Sequence, residues 1–190
     1  MAALPNAPHI VFDAGSKEGR IFSVNTDTGE VKVAIQHEAL EPGPPRPGPV
    51  PPLGINGLRV RDSHVYFTNS AKGIFGCFRI DANGVITDEL QILANSFADD
   101  RIYDDFTFDY GGNAYIAVHP SSVVKFSTAG VQTIMAGDEL EGGSPLHHPT
   151  SAALANDGNS IYLVTGEKFG NPRQGGQIVR IDLQKLTLES

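Results

Sequence analysis

The sequence predicts an all-β chain built from β-propeller blades, and three observations carry that prediction. The first is composition: among 190 residues, Gly (21) and Pro (13) are plentiful and charged residues make up only 19%, the profile of many short elements joined by turns rather than of long helices. The second is periodicity: short runs alternate apolar and polar residues, which is the strand signature, and no amphipathic helical pattern appears. The third is recurrence: third strands of successive groups begin near Ile21, Ile74, Val123 and Ile178, at intervals of 53, 49 and 55 residues by subtraction. A period near 50 built from short strands points to propeller blades. About four of them fit in this chain, either as a closed four-bladed ring or as part of a larger one.

In chain order, His9–Asp13 is a short apolar strand. Gly19–Val24 and Glu30–Ile35 form a hairpin across the turn Asn25–Gly29, whose Gly and Asn suit turn conformations. Residues 41–52, EPGPPRPGPVPP, cannot pair in a sheet because proline lacks the donor. The same strand grammar on both sides makes this arm a loop inside one fold. Strands then follow at Leu58–Val60, His64–Asn69, Ile74–Ile80 and Gln91–Leu93. A second group comprises Phe106–Asp109, Ala114–Val118, Val123–Phe126 and Val131–Ala136. A third comprises Thr150–Leu154, Ser160–Thr165 and Gly176–Ile181. Residues 1–190 are thus read as one propeller domain, with a partial unit at 7–40, the proline-rich loop at 41–52, and blades at 53–98, 103–138 and 148–188.

The formal net charge of −8 argues against nucleic acid and anionic membrane surfaces as partners, since like charges repel. The single cysteine, Cys77, can form neither an internal disulfide nor a thiolate metal cluster and reads as a buried structural residue. The N-terminus, MAALPNAPHIVF, lacks the charged region and apolar core of a signal peptide. No apolar run approaches the ~20 residues of a membrane span. The expectation is a soluble, cytoplasmic chain.

Several residues could carry chemistry. Asn56 sits between apolar neighbours in LGINGLRV. Its amide can ligate a hard cation or hold a substrate carbonyl, or the Asn–Gly pair can simply form a turn. Asp104 and Asp105 lie where a strand opens. Alternation sends adjacent side chains to opposite sides, so at most one is expected to face a central site, and Asp104 is the choice as ligand or general base. His147 and His148 precede a strand start, and His119 is placed on the loop after a strand. A histidine at such a position could transfer protons or bind a substrate oxygen. Thr150 and Ser151 have no Ser-His-Asp arrangement legible from spacing. No Cys/His spacing suggests zinc, and no glycine-rich stretch precedes a helix as a phosphate loop would.

The runs GINGLRVRDSHVYFTNS, DDFTFDYGGNAYIAVHPSSVVKFSTAG and PTSAALANDGNSIYLVTG resemble the senescence-marker-protein/gluconolactonase family, most closely its fungal branch, where a proline-rich loop precedes a GINGL-type motif. The resemblance covers about Ala7 to Leu183. It implies a six-bladed propeller of which this chain supplies the last four blades. It implies a divalent cation, usually calcium, in the central channel, with Asn56 and Asp104 as ligands and Asp104 also as the base that activates water. Two further family ligands, a first-blade Glu and an earlier Asn, have no counterpart here, and Asp105 stands where the family often has Gly.

The expected function is therefore that of a gluconolactonase-like enzyme acting on a small lactone or ester, by cation-assisted water attack. Asp104 is catalytic, His148, Asp105 and Thr150 bind substrate, and Asn56 and Asp104 hold the cation. The alternatives are a metal-independent, pericyclase-like cyclase of fungal specialised metabolism, needing no cofactor, and a non-catalytic ligand-binding propeller. The expected partners are a small-molecule substrate and a second chain that completes the ring.

Overall fold

The computed structural model describes residues 1–45, 51–137, 146–166 and 175–183. The chain divides into two compact units, Met1–Asp99 and Asp100–Ser190. Among the described residues every element is a β-strand except the 3-10 turn Glu38–Leu40. No helix among them is long and apolar enough to cross a membrane.

The first unit holds two four-stranded antiparallel sheets. One runs β1 (Ala2–Leu4), β2 (Ala7–Gly15), β3 (Arg20–Asn25), β4 (Val31–Gln36). The other runs β5 (Ile55–Arg61), β6 (His64–Asn69), β7 (Ile74–Arg79), β8 (Gln91–Asn95). In both sheets the spatial order of strands equals their order in sequence, as short hairpin connections dictate. The β5–β6 hairpin is closed by Asp62 and Ser63, at φ 48° and 58°, the paired left-handed conformation of a two-residue turn that matches strand twist. Apolar faces of the two sheets meet in one core of Leu4, Phe12, Ile21, Ile35, Ile55, Leu58, Phe67 and Phe78. A fully buried side chain such as Phe67 stabilises the unit by about 2–3 kcal/mol through area removed from water.

The proline-rich arm belongs to this unit. Asn69, fully buried, donates from its amide to the carbonyls of Ala39 and Glu41, each at 2.9 Å. Gly54, at the far end of the arm, donates its N–H to the Ser16 carbonyl at 2.8 Å. A Cβ at Gly54 would stand 2.3 Å from the Leu40 carbonyl oxygen, so only glycine lets the two ends of the arm pass this closely. Residues 46–50 of the arm lie outside the described residues.

The second unit holds β9 (Ile102–Phe108), β10 (Ala114–His119), β11 (Ser122–Phe126) and β12 (Gln132–Gly137) in one antiparallel sheet, and β13 (Pro149–Leu154), β14 (Ser160–Thr165) and β15 (Ile178–Asp182) in another. Tyr115, Val123, Ala152, Ile161, Leu163 and Ile181 form its core. On β14 the alternation holds from Ile161 onward: Ile161, Leu163 and Thr165 are buried, while Tyr162 and Val164 are exposed.

Two features were not expected. Ala2–Leu4 adds a strand ahead of the first one read from the sequence, held to Val11 and Phe12. And β9 begins at Ile102, four residues before Phe106, so Asp104 and Asp105 lie inside a strand rather than at its opening.

The first strand of three sheets carries a bulge, each read from the pairing register. In β5, Asn56 and Gly57 stand opposite the single residue Thr68. In β9, Asp104 and Asp105 stand opposite Ala117. In β13, Thr150 is the extra residue between Pro149 and Ser151, which pair with the consecutive Thr165 and Val164. A bulge interrupts the ladder, bends the strand and re-aims side chains. The predicted site residues of these strands therefore all fall where strict alternation is suspended.

Candidate functional site

In the first unit, Asn56 is half-buried and its amide nitrogen donates to the Ser70 hydroxyl at 3.0 Å. That contact orients the amide. The bulge beneath it is tied by the Gly57 N–H donating to the buried Thr68 hydroxyl at 2.8 Å.

The second unit gathers more chemistry. His119 Nε2 lies 2.8 Å from Asp104 Oδ2, with the two side chains 8% and 16% exposed. His119 Nδ1 lies 3.0 Å from His148 Nδ1. The result is a continuous polar chain, Asp104–His119–His148, across β9, β10 and the segment entering β13. Register explains its first link: His119 pairs directly with Ile102, and Asp104 lies two residues further along the same face. His119 is thus the last residue of β10 and 6% exposed, which corrects its placement on a loop. The strand continues one residue past Val118 because its partner β9 starts early.

His148 adopts φ 48°, a left-handed conformation that costs a non-glycine residue about 1–3 kcal/mol. Backbone bonds on both sides hold it there: its N–H donates to the Pro120 carbonyl at 2.9 Å, and its own carbonyl accepts from Gly166 at 2.8 Å. Burial, and then the neighbouring His119 and His147, push the His148 imidazole below the usual histidine pKa and favour its neutral form.

Asp105 takes a separate partner: Ser151 of β13 donates its hydroxyl to Asp105 Oδ2 at 2.9 Å. The Thr150 hydroxyl donates to the Val164 carbonyl at 3.2 Å, a local bond across the β13–β14 bulge. The structure therefore joins Asp104 to His148 through His119 and gives Asp105 and Thr150 different neighbours. The sequence offers His119 as a histidine that could transfer protons, but gives it no place in the site. Its pairing with Asp104 depends on a cross-strand register that no local pattern in the sequence encodes.

Among the described residues no cluster of three or more His, Cys, Asp or Glu side chains is arranged to hold a metal ion. Asp104 Oδ2 pairs with the His119 imidazole, which in turn meets the His148 imidazole, so the polar groups shown linked to Asp104 are nitrogen donors. A calcium-type ion takes six to eight oxygen ligands, so this donor set does not fit it.

No family model matches the chain, and no curated protein matches it. Solved structures do. A luciferin-regenerating enzyme is similar at TM-score 0.60 and 17% identity, over 86% of this chain and 51% of that one. The calcium-binding protein regucalcin from Agrobacterium tumefaciens is similar at TM-score 0.57 and 13% identity, over 85% and 51%. A candidate gluconolactonase is similar at TM-score 0.61 and 12% identity, over 94% and 61%. With the successive antiparallel sheets, these likenesses define a β-propeller fold of the kind found in gluconolactonase-like and regucalcin-like proteins. The chain spans about half the length of the first two structures.

Proposed function

We propose that the chain carries the working residues of a gluconolactonase-like propeller hydrolase that adds water to a small lactone or ester. The observation that supports this reading is the hydrogen-bonded set Asp104–His119–His148 at the bulge of a first strand. A carboxylate paired with a buried imidazole is equipped to accept and return a proton near neutral pH. In the ring that the resemblance implies, first strands border the central channel. A small substrate would then meet Asp104 and His148, with Asp105 on the same bulge as Asp104 and Thr150 on that of β13.

A divalent cation would polarise the substrate carbonyl if one were bound. Because the donors around Asp104 do not fit calcium, we expect turnover to survive a chelator. Asn56, with its amide oriented by Ser70, is the residue of the first unit through which any calcium dependence would act. The six-bladed ring needs further blades, and we propose that a second chain brings them. The exposed apolar side chains Tyr162, Val164 and Ile178 offer the surface on which a further sheet would pack. Light scattering in solution should then give a mass above that of one chain, and a lone monomer that turns over substrate would remove the second chain.

The test of the hydrolase reading is a panel of five- and six-membered lactones and simple esters, followed by acid release and by product mass. The expected result is a product one water heavier than its substrate, with Asp104→Asn strongly impaired. A folded protein that turns over no member of the panel defeats the reading. A product isomeric with its substrate points instead to the cyclase.

A further inference from the structure

We propose that the open face of the first sheet, β1–β4, is an interface through which the chain pairs two-fold with a second copy of itself. The pairing stands on the first sheet alone and does not rest on the hydrolase reading. It uses a different surface from the Tyr162, Val164 and Ile178 patch of the last sheet.

The sequence of this sheet puts apolar residues on both of its faces. Phe12, Ile21 and Ile35 turn into the core of the first unit. Residues directly opposite each other in an antiparallel pair share a face, so the register assigns the other face row by row. One row crosses all four strands as Ala3, Val11, Val24 and Val31. The next runs Asp13, Phe22, Val33, and a third runs Gly15, Arg20, Gln36. Val31 and Val33 are 60% and 47% exposed. A sheet face turned to water is normally polar, and this one is apolar across its width. A Cβ at Gly15 would stand 2.6 Å from a ring carbon of Phe22. The glycine thus lets the aromatic ring lie across the backbone and extend the apolar surface.

The charges on this face select the occupant. Arg20 Nε is buried and has no hydrogen-bond partner. Among the described residues no ion pair engages Arg20, Asp13 or the nearby Glu18. A guanidinium left in this state is unfavourable, and a carboxylate is the group its planar fork fits. Asp13 and Arg20 stand on neighbouring strands in adjacent rows of the same face. Such a pair is self-complementary about a two-fold axis, the commonest symmetry of soluble oligomers. Asp13 of each copy then meets Arg20 of the other, while Val11, Phe22, Val24 and Val31 pack against their equivalents as two stacked sheets do. Four strands about 4.8 Å apart make a patch roughly 20 Å across. That is near the low end for specific association, so the dimer forms and dissociates with concentration.

The test is sedimentation equilibrium of the full chain over a concentration series. The expected result is a monomer–dimer equilibrium. Asp13→Arg and Arg20→Asp each set like charges against each other, and each should raise the dissociation constant by about tenfold or more. Mixed in equal amounts, the two variants restore opposite charges at both positions, and the mixture should associate nearly as tightly as wild type. No contact within a single copy can give that result. Val31→Lys, at a position already 60% exposed, leaves the monomer intact and should weaken association by about tenfold, which keeps the test decisive if a charge variant fails to fold. A wild type that stays monomeric throughout the series overturns the proposal. So does a mixture no more associated than either variant alone, or a dimer that Val31→Lys leaves unchanged. A dimer broken by Val164→Lys but not by Val31→Lys assigns association to the last sheet, which overturns this pairing and leaves the earlier reading of that surface standing. Opening of a lactone, or its failure, moves none of these outcomes.

Discussion

The Ser151 hydroxyl on β13 donates to the Asp105 carboxylate on β9 at 2.9 Å, a side-chain bond between the first strands of the two sheets in the second unit. Hydrogen bonds to charged groups contribute about 1.5–3 kcal/mol. Ser151→Ala is therefore expected to destabilise the second unit by about 1–3 kcal/mol, read as a lower urea midpoint. An unchanged midpoint would show that the bond contributes nothing net.

Gly54→Ala should be among the most damaging single-methyl additions in the first unit. The new Cβ would meet backbone atoms of Leu40, Pro42 and Glu41 at 2.3–2.9 Å, and backbone cannot step aside as a flexible side chain does. Overpacking of this kind costs about 1–3 kcal/mol. The thermal midpoint should fall, and an unaltered one would mean that the arm moves freely away from β5.

His148 is expected to titrate below the usual histidine value of 6.5, because burial and two neighbouring imidazoles disfavour its charged form. The sign follows from proton linkage: between the folded and unfolded pKa values the unfolded chain binds more protons, so stability rises with pH. Its contribution is complete above the unfolded value and is lost as pH falls toward the folded one. The urea midpoint of wild type should drop between pH 7.5 and 5.5 more than that of His148→Gln. Equal drops would assign the acid sensitivity elsewhere.

Cys77 is 3% exposed, and burial pushes its thiol up to about 11. At pH 8 almost none of it is thiolate, the reactive form. Alkylation should be slow in the folded protein and fast in urea. Rapid labelling under native conditions would contradict the packing of β7.

Several strands of this chain were legible because one face is buried and the other less so, and period two records that difference; β7 and β10, buried on both faces, read instead as short apolar runs. Val65 and Phe67 on β6 are buried on either side of the less buried Tyr66, and Ile161 and Leu163 on β14 on either side of the exposed Tyr162, as the sequence pattern predicts. The start of β9 was not legible. Asp104 and Asp105 interrupt the apolar run, and the bulge suspends alternation at that place. The choice of Asp104 over Asp105 from alternation used a rule that does not hold across a bulge, and the two residues differ instead in their partners. Ala2–Leu4 is a strand only because β2 offers it an edge. His119 joins the site through cross-strand register, which leaves no mark in local sequence; His148 is legible as a histidine just before a strand start, though its left-handed backbone is not. The C-terminal residues 184–190, which the last predicted blade partly includes, lie outside the described residues.

The recurrence of a bulge in β5, β9 and β13 has a bearing on how such a protein can change. The hydrogen-bonded ladder resumes on either side of each bulge whatever residue occupies it, so the position works as a socket. An amide fills the socket in one sheet, a pair of carboxylates in the next, and a threonine in the last. Exchanging the occupants alters which polar groups are offered while leaving strand pairing and apolar core intact. New chemistry on this scaffold is therefore reached by a handful of substitutions at positions 56, 104, 105 and 150, without a new backbone.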